Sequence, residues 1–182
     1  MIYFTSDTHF GDKKILASRT MFETVEQMDE TLIAKWNEKI TKDDTVYILG
    51  DITPKGINVM KSYVNRLNGK KHLIIGNHDM KWYKNTVDLS DVFESAKHSD
   101  VISVDEIYLT LSHFPMFEFL GCNGRYYHIH GHLHNRKFKP YEYIKRNVPR
   151  ALNAGMDING FVPCTLTELI ENNNKWYERQ GE

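Results

Sequence analysis

Apolar positions along this chain change their period, and the changes divide it into elements. Ile2–Ser6 is a short β-rich run. From Thr24 the spacing turns helical, with Val25, Met28, Leu32, Trp36 and Ile40 recurring every third or fourth position. Thr24 and Gln27 supply a capping-box pair at its start. Lys42-Asp43-Asp44 ends that helix, and Thr45–Leu49 reads as a nearly all-apolar strand buried on both faces. Ile57, Met60, Val64 and Leu67 mark a second helix closed by Gly69, and His72–Ile75 is the next buried strand. Beyond it the texture is β-like: Val92–Phe93, Val101–Val104, Ile107–Leu111, Tyr127–His130 and Ala151–Met156 are short strand candidates. Thr165 with Glu168 caps a last helix through Ile170. The order βαβαβ followed by mostly β predicts an α/β protein with two packed sheets and helices outside. With neither linker nor repeat, residues 1–171 are expected to form a single domain. Residues 172–182 form a polar tail that should fray unless Trp176 and Tyr177 pack back.

Composition narrows the class without naming a chemistry. At 182 residues the chain is long enough for a real core, and its net charge of −1 gives no pull towards long nucleic acid or anionic membrane. No apolar run approaches the roughly 20 residues that span a bilayer. The first strand leads straight into Asp7, so no leader peptide is expected. The cysteines, Cys122 and Cys164, lack C-x-x-C spacing and suit free thiols in a reducing cytoplasm.

The chemistry lies where apolar runs meet turn signals. Asp7-Thr8-His9, Gly50-Asp51, Gly76-Asn77-His78-Asp79, Ser112-His113 and Gly131-His132-Leu133-His134 each place a carboxylate, amide or imidazole just past a strand candidate. Singly, Asp7 reads as a turn residue, His9 as a surface histidine and Gly50-Asp51 as a common turn dipeptide. Jointly they spell a two-metal site, and five of the nine histidines fall on these positions. A pair of divalent ions generates hydroxide at neutral pH and neutralises charge developing on a phosphate ester. Such a pair needs a bridging carboxylate, and Asp51, at the end of a buried strand and after a flexible Gly50, is the natural choice. His72, His98, His128 and His130 are expected to pack, face solvent or support ligands.

The order D-x-H, G-D, G-N-H-D, H, G-H-x-H resembles the signature of the calcineurin-like metallophosphoesterases, from Asp7 to His134 with a family-like ending through Asp157. It is most similar to the short single-domain prokaryotic and phage members. The protein-phosphatase branch is disfavoured, because Gly50-Asp51 runs on as Ile52-Thr53-Pro54 and the third block ends in Asp79. The resemblance implies a four-layer α/β/β/α sandwich of two packed mixed sheets, with the metals at one edge. It implies that Asp7, His9 and His134 complete one metal and Asn77, His113 and His132 the other. Attack by a metal-bridging hydroxide is then assisted by His78 as general acid, with Asp79 orienting it. Manganese is the expected metal in vitro, with iron, zinc, nickel or cobalt open.

Substrate recognition is thinner in the sequence. A phosphodiester, of the nucleotide or cyclic-nucleotide kind, is favoured over a phosphomonoester. A catalytically silent scaffold of the same fold is the remote alternative, since every ligand and His78 are kept. Asn77, a neutral ligand, keeps the site's charge low for an anionic substrate. Arg19 and Arg125 are candidate phosphate contacts. Phe114-Pro115-Met116-Phe117 through Tyr126-Tyr127 is either a stacking wall or core closure. Asn135–Arg150 mixes basic and aromatic residues and reads first as a solvated β-hairpin, second as a nucleotide contact. No heptads announce an oligomer.

Overall fold

Alternation along the first strands sends neighbouring residues into two different cores. A computed structural model describes residues 1–178 apart from Asn85, Asn123, Arg125, Lys137 and Phe138, and apart from the side chain of Pro140. Tyr3 faces one core and Phe4 the other; Val46 and Ile48 are divided in the same way from Leu49, and Leu73 from Ile74. Strands buried on both faces belong to a parallel sheet. β1 (Ile2–Thr5), β2 (Thr45–Ile48), β3 (Lys70–Ile74) and β4 (Ser95–Lys97) pair in that order and all in parallel. The second sheet is mixed. β5 (Ser99–Val104) and β6 (Ile107–Ser112) form an antiparallel hairpin, while β7 (Tyr127–His130) and β8 (Ala151–Asn153) add in parallel.

The sheets pack face to face through Phe4, Leu49, Ile74, Leu109, Leu111, Ile129 and Leu152. Outside the first sheet lie α1 (Val25–Lys39) and α2 (Ile57–Val64), which bury Met28, Leu32, Trp36, Met60 and Val64. Outside the second lie α3 (Lys139–Asn147) and the distal part of α4 (Leu166–Glu178). The four-layer expectation holds, but one sheet is wholly parallel where both were expected mixed. The Thr165–Glu168 capping box closes, with Thr165 N donating to Glu168 Oε2 at 2.8 Å; at the first helix Gln27 N donates to Thr24 Oγ1 at 3.0 Å, but Gln27 Oε1 accepts the Glu23 amide, at 2.7 Å, in place of the Thr24 amide. No described helix is long and apolar enough to cross a membrane.

Several elements differ from the sequence reading. Val92 and Phe93 sit in a helical turn, their amides donating to Leu89 O at 3.0 and 2.9 Å, and both side chains enter the first core. The strand beside them is the short edge Ser95–Lys97, whose one apolar residue, Ala96, packs against the first core. The segment read as a β-hairpin contains α3. Tyr141, Ile144 and Val148 are buried at helical spacing, whereas the interleaved aromatics suggested period two. The last helix continues past Ile170 to Glu178. Its Asn173 is buried and pairs with the Asn153 backbone (N to Oδ1 2.8 Å, Nδ2 to O 3.1 Å), so a polar residue there looked like tail. Trp176 packs on Tyr141 with ring centroids 4.6 Å apart.

Candidate metal centre

Chain reversals just beyond the carboxyl ends of β1, β2, β3, β6 and β7 carry the clustered polar residues to one edge of the sandwich. The backbone is unusual there. Asp7, His9, Asp51, His132 and His134 have φ of 58°, 52°, 57°, 69° and 52°. They are five of the eight non-glycine residues in the left-handed region among those described. That region costs a side-chain-bearing residue energy and collects at functional sites. Gly50, with φ of 84°, lets β2 turn against β3; a Cβ there would lie 2.6 Å from the Gly76 backbone and 2.7 Å from His113 Nδ1.

These turns bring together ligand-capable atoms in overlapping groups. Asp7, His9 and His134 form one; Asp51, His113 and His132 form another; His9, Asp51 and His78 form a third, with atoms in each group within 4.8 Å of one another. Asp51 Oδ2 lies 3.4 Å from His113 Nε2, 3.7 Å from His9 Nε2 and 4.0 Å from His78 Nε2. His134 Nε2 is 3.6 Å from Asp7 Oδ1. Asn77 Oδ1 is 3.0 Å from both His113 Nε2 and His132 Nδ1.

Three of the clustered imidazoles are aimed by their other nitrogen. His9 Nδ1 is 3.1 Å from Asp12 Oδ2, His134 Nδ1 is 2.9 Å from Asp157 Oδ2, and His113 Nδ1 is 2.8 Å from Leu49 O. Such contacts set the orientation of metal-binding histidines. Burial lowers the His9 pKa, favouring the neutral ring that a metal needs. Burial opposes charge on His113 as well, but Asp51 and Asp7 outweigh it and push that ring up to about 9. Asp51 itself is pushed down to about 2, the bonds from His113 and from the His78 amide (2.7 Å) overcoming burial. A divalent ion would take the place of the His113 proton. The donor set of imidazole, carboxylate and amide oxygen fits divalent transition ions. So does His9 Nε2, a buried atom with no hydrogen-bond partner.

A family model for calcineurin-like phosphoesterases matches residues 1–164. The chain belongs to that family. It is a hydrolase acting on phosphate esters, in a family that uses divalent metals. It is 42% identical over 80 residues to the Gene 66 protein of Mycobacterium phage L5, a match covering 42% of this chain but only 39% of that relative. It is 28% identical over 174 residues to an uncharacterized protein of Methanocaldococcus jannaschii, covering 93% and 89% of the two chains. A solved structure of a protein of unknown function from Aquifex aeolicus has the same fold, with TM-score 0.71 and 24% identity over 94% of this chain and 98% of that one.

In this phosphoesterase all seven expected metal ligands meet at one edge, and His78 stands beside them, partly exposed. Two of the expected roles do not fit the geometry. Arg19 is fully buried and makes no surface for a phosphate. Its Nε and Nη2 bind Asp157 at 2.8 and 3.1 Å, and its Nη1 and Nη2 donate to Thr8 O and Asp7 O at 2.9 and 2.6 Å. Asp79 does not orient His78. Its carboxylate accepts the amides of Asp51, Ile52 and Gly76 at 2.8, 3.0 and 2.9 Å, while His78 Nδ1 is buried without a partner. Burial is the main reason the Asp79 carboxyl is pushed up to about 7, despite those amides. Arg125 lies outside the described residues, as do Lys137 and Phe138 of the basic segment.

Asp12 and Asp157 carry orienting roles that the sequence reading missed. For Asp12 the signal was available: a carboxylate three positions after a candidate ligand histidine, within a tight turn. His130 is buried with Nδ1 2.9 Å from Gly131 O, and burial pushes it down to about 3. His128 is likewise internal, with Nδ1 2.9 Å from Thr110 O. His72 stacks on Tyr47 and His98 meets the edge of Tyr83. Two surfaces flank the centre. On the His9, His78 and His134 side lies a cleft of about 390 Å³. On the other side the half-exposed Phe114 ring sits 5.0 Å from His113 and 4.6 Å from His132, centroid to centroid.

Proposed function

We propose that this phosphoesterase hydrolyses small phosphodiesters with two divalent ions. Asp7, His9 and His134 hold one, Asn77, His113 and His132 hold the other, and Asp51 is shared. The observation carrying this reading is the position of Asp51, whose Oδ2 lies within 4.0 Å of His9, His78 and His113 together. Bound ions would supply a hydroxide nucleophile at neutral pH and offset the charge developing on phosphorus. Manganese is the metal proposed for activity in vitro, and iron, zinc, nickel or cobalt fit the same donors.

The protein's own groups do the rest. Asn77 contributes an oxygen without a charge, so an anionic ester meets a net positive centre. His78 is the general acid: as the bond from phosphorus to the leaving oxygen breaks, that oxygen keeps the electron pair and takes the imidazole proton. Asp79 fixes the two loops that carry Asp51 and His78. The cleft on one flank and Phe114 on the other give room for both arms of a diester, which favours it over a monoester. Nucleotide-type diesters suit an aromatic flank. A net charge of −1 provides no face for long nucleic acid. The proposed setting is a single-domain cytoplasmic enzyme, in keeping with Cys122 and Cys164 as free thiols.

The test is direct. Strip the protein with a chelator, restore Mn²⁺, and compare an aryl phosphodiester with its phosphomonoester. Metal-dependent turnover favouring the diester is expected. Turnover confined to the monoester would move the assignment to that branch, and tight metal binding with no turnover of either would count against the mechanism.

A further inference from the structure

The cleft beside His78 has a chemistry of its own. His78 lines it, so under the proposed mechanism, on which this step rests, the departing oxygen and whatever it carries must lie there. At about 390 Å³ it falls within the roughly 300–1,000 Å³ of small-molecule sites, and a simple alcohol would leave most of it unfilled. Ile15 and Ala17 give it apolar lining, and Asn135 supplies polar lining.

Its charge is one-sided. The acidic residue lining the cleft, Asp12, is buried and turned inward: Oδ2 meets His9 Nδ1 at 3.1 Å and Oδ1 accepts the Lys14 amide at 2.9 Å. Lys14 and Arg136 line the same cleft with exposed side chains. Arg136 Nη2 donates to His132 O at 3.2 Å, which ties it to the centre's own loop. Lys14 forms no ion pair among the described residues, and the Asp12 bond to its amide fixes the turn that presents it. Apolar lining with exposed cations, next to an acid, matches an organic group that ends in an anion.

We infer that this cleft receives a nucleotide-sized leaving group bearing its own negative charge, and that Lys14 is the specificity residue reading that charge. The favoured substrates are then diesters whose departing arm ends in a phosphate, such as a terminally phosphorylated dinucleotide, over the same dinucleotide without it.

The experiment uses Mn²⁺-loaded enzyme with three probes: a dinucleoside monophosphate, and the same molecule with an extra phosphate at its 5′ or its 3′ end. Cleavage of the internal diester is followed by chromatography, with an aryl phosphodiester as reference. Wild type should prefer one phosphorylated probe by about fivefold in kcat/KM, the scale of one exposed charge pair. Lys14→Ala should bring that ratio close to one, Lys14→Glu below one, and Lys14→Arg should keep it. A wild-type ratio of one, a ratio unmoved by Lys14→Glu, or hydrolysis of the aryl diester but of no dinucleotide would each overturn the inference and leave the proposed function standing. Failure to hydrolyse even the aryl diester would remove the proposed function, and the inference with it.

Discussion

Arg19 and Asp157, 138 residues apart in sequence, form a buried ion pair behind the metal centre, with Nε 2.8 Å from Oδ1. The same Asp157 aims His134, and the same guanidinium holds the carbonyls of Asp7 and Thr8. Removing one member of such a pair leaves a buried charge alone. Arg19→Met is therefore expected to cost about 3–5 kcal/mol of stability. Urea denaturation measures this, and a loss below about 1 kcal/mol would contradict the role.

Acid titration tests the other member. Burial would raise the Asp157 carboxyl, but the bonds from His134 and Arg19 and the Arg19 charge hold it well below the ordinary value of 3.8. A depressed native value gives stability that is present above the unfolded value and is lost as pH falls towards the native one. Wild type should thus lose stability below about pH 4 more steeply than Asp157→Asn. Parallel curves for the two proteins would refute this.

His78→Ala should cut turnover by about 10²–10⁴ while both metals stay bound. Metal content by mass spectrometry decides, because His78 lies within ligand distance of His9 and Asp51. Loss of an equivalent of metal would make it a ligand and not the acid.

Asp12→Ala leaves the His9 ring unaimed, and affinity for one of the two ions should fall about 10–100-fold. Competition with a chromophoric chelator reads each site separately. Equal weakening at both sites would point to a wider collapse.

Asn77→Asp adds a negative charge beside His113 and His132. Metal should be retained and substrate capture weakened, seen as a raised KM. A higher kcat/KM in that variant would be the wrong sign.

Much of this was readable in the sequence, for physical reasons. Strand β7 at Tyr127–His130 and the helix caps at Thr24 and Thr165 are local patterns, and local patterns survive folding. The residues proposed as ligands stand out in the sequence because each follows an apolar run that must end in a turn. What escaped depends on partners distant along the chain. Arg19 looks like any exposed arginine until Asp157 comes beside it, and Asp79 looks like a companion to His78 until the amides of Asp51, Ile52 and Gly76 claim it. Helix α3 was hidden because its buried residues, Tyr141 and Ile144, are outnumbered by charged neighbours. Strand β4 was hidden because an edge strand needs few apolar residues.

The left-handed turns at the proposed ligands carry a further consequence. Their atoms converge because the chain reverses within two to four residues of each strand end, and that reversal is counted in residues, not in side-chain reach. Replacing a ligand subtracts one donor. Inserting or deleting a single residue between β1 and His9, or between β7 and His134, would rotate every following donor out of the centre. These turns should therefore reject any change of length, so gain and loss of segments during divergence would be confined to other parts of the chain.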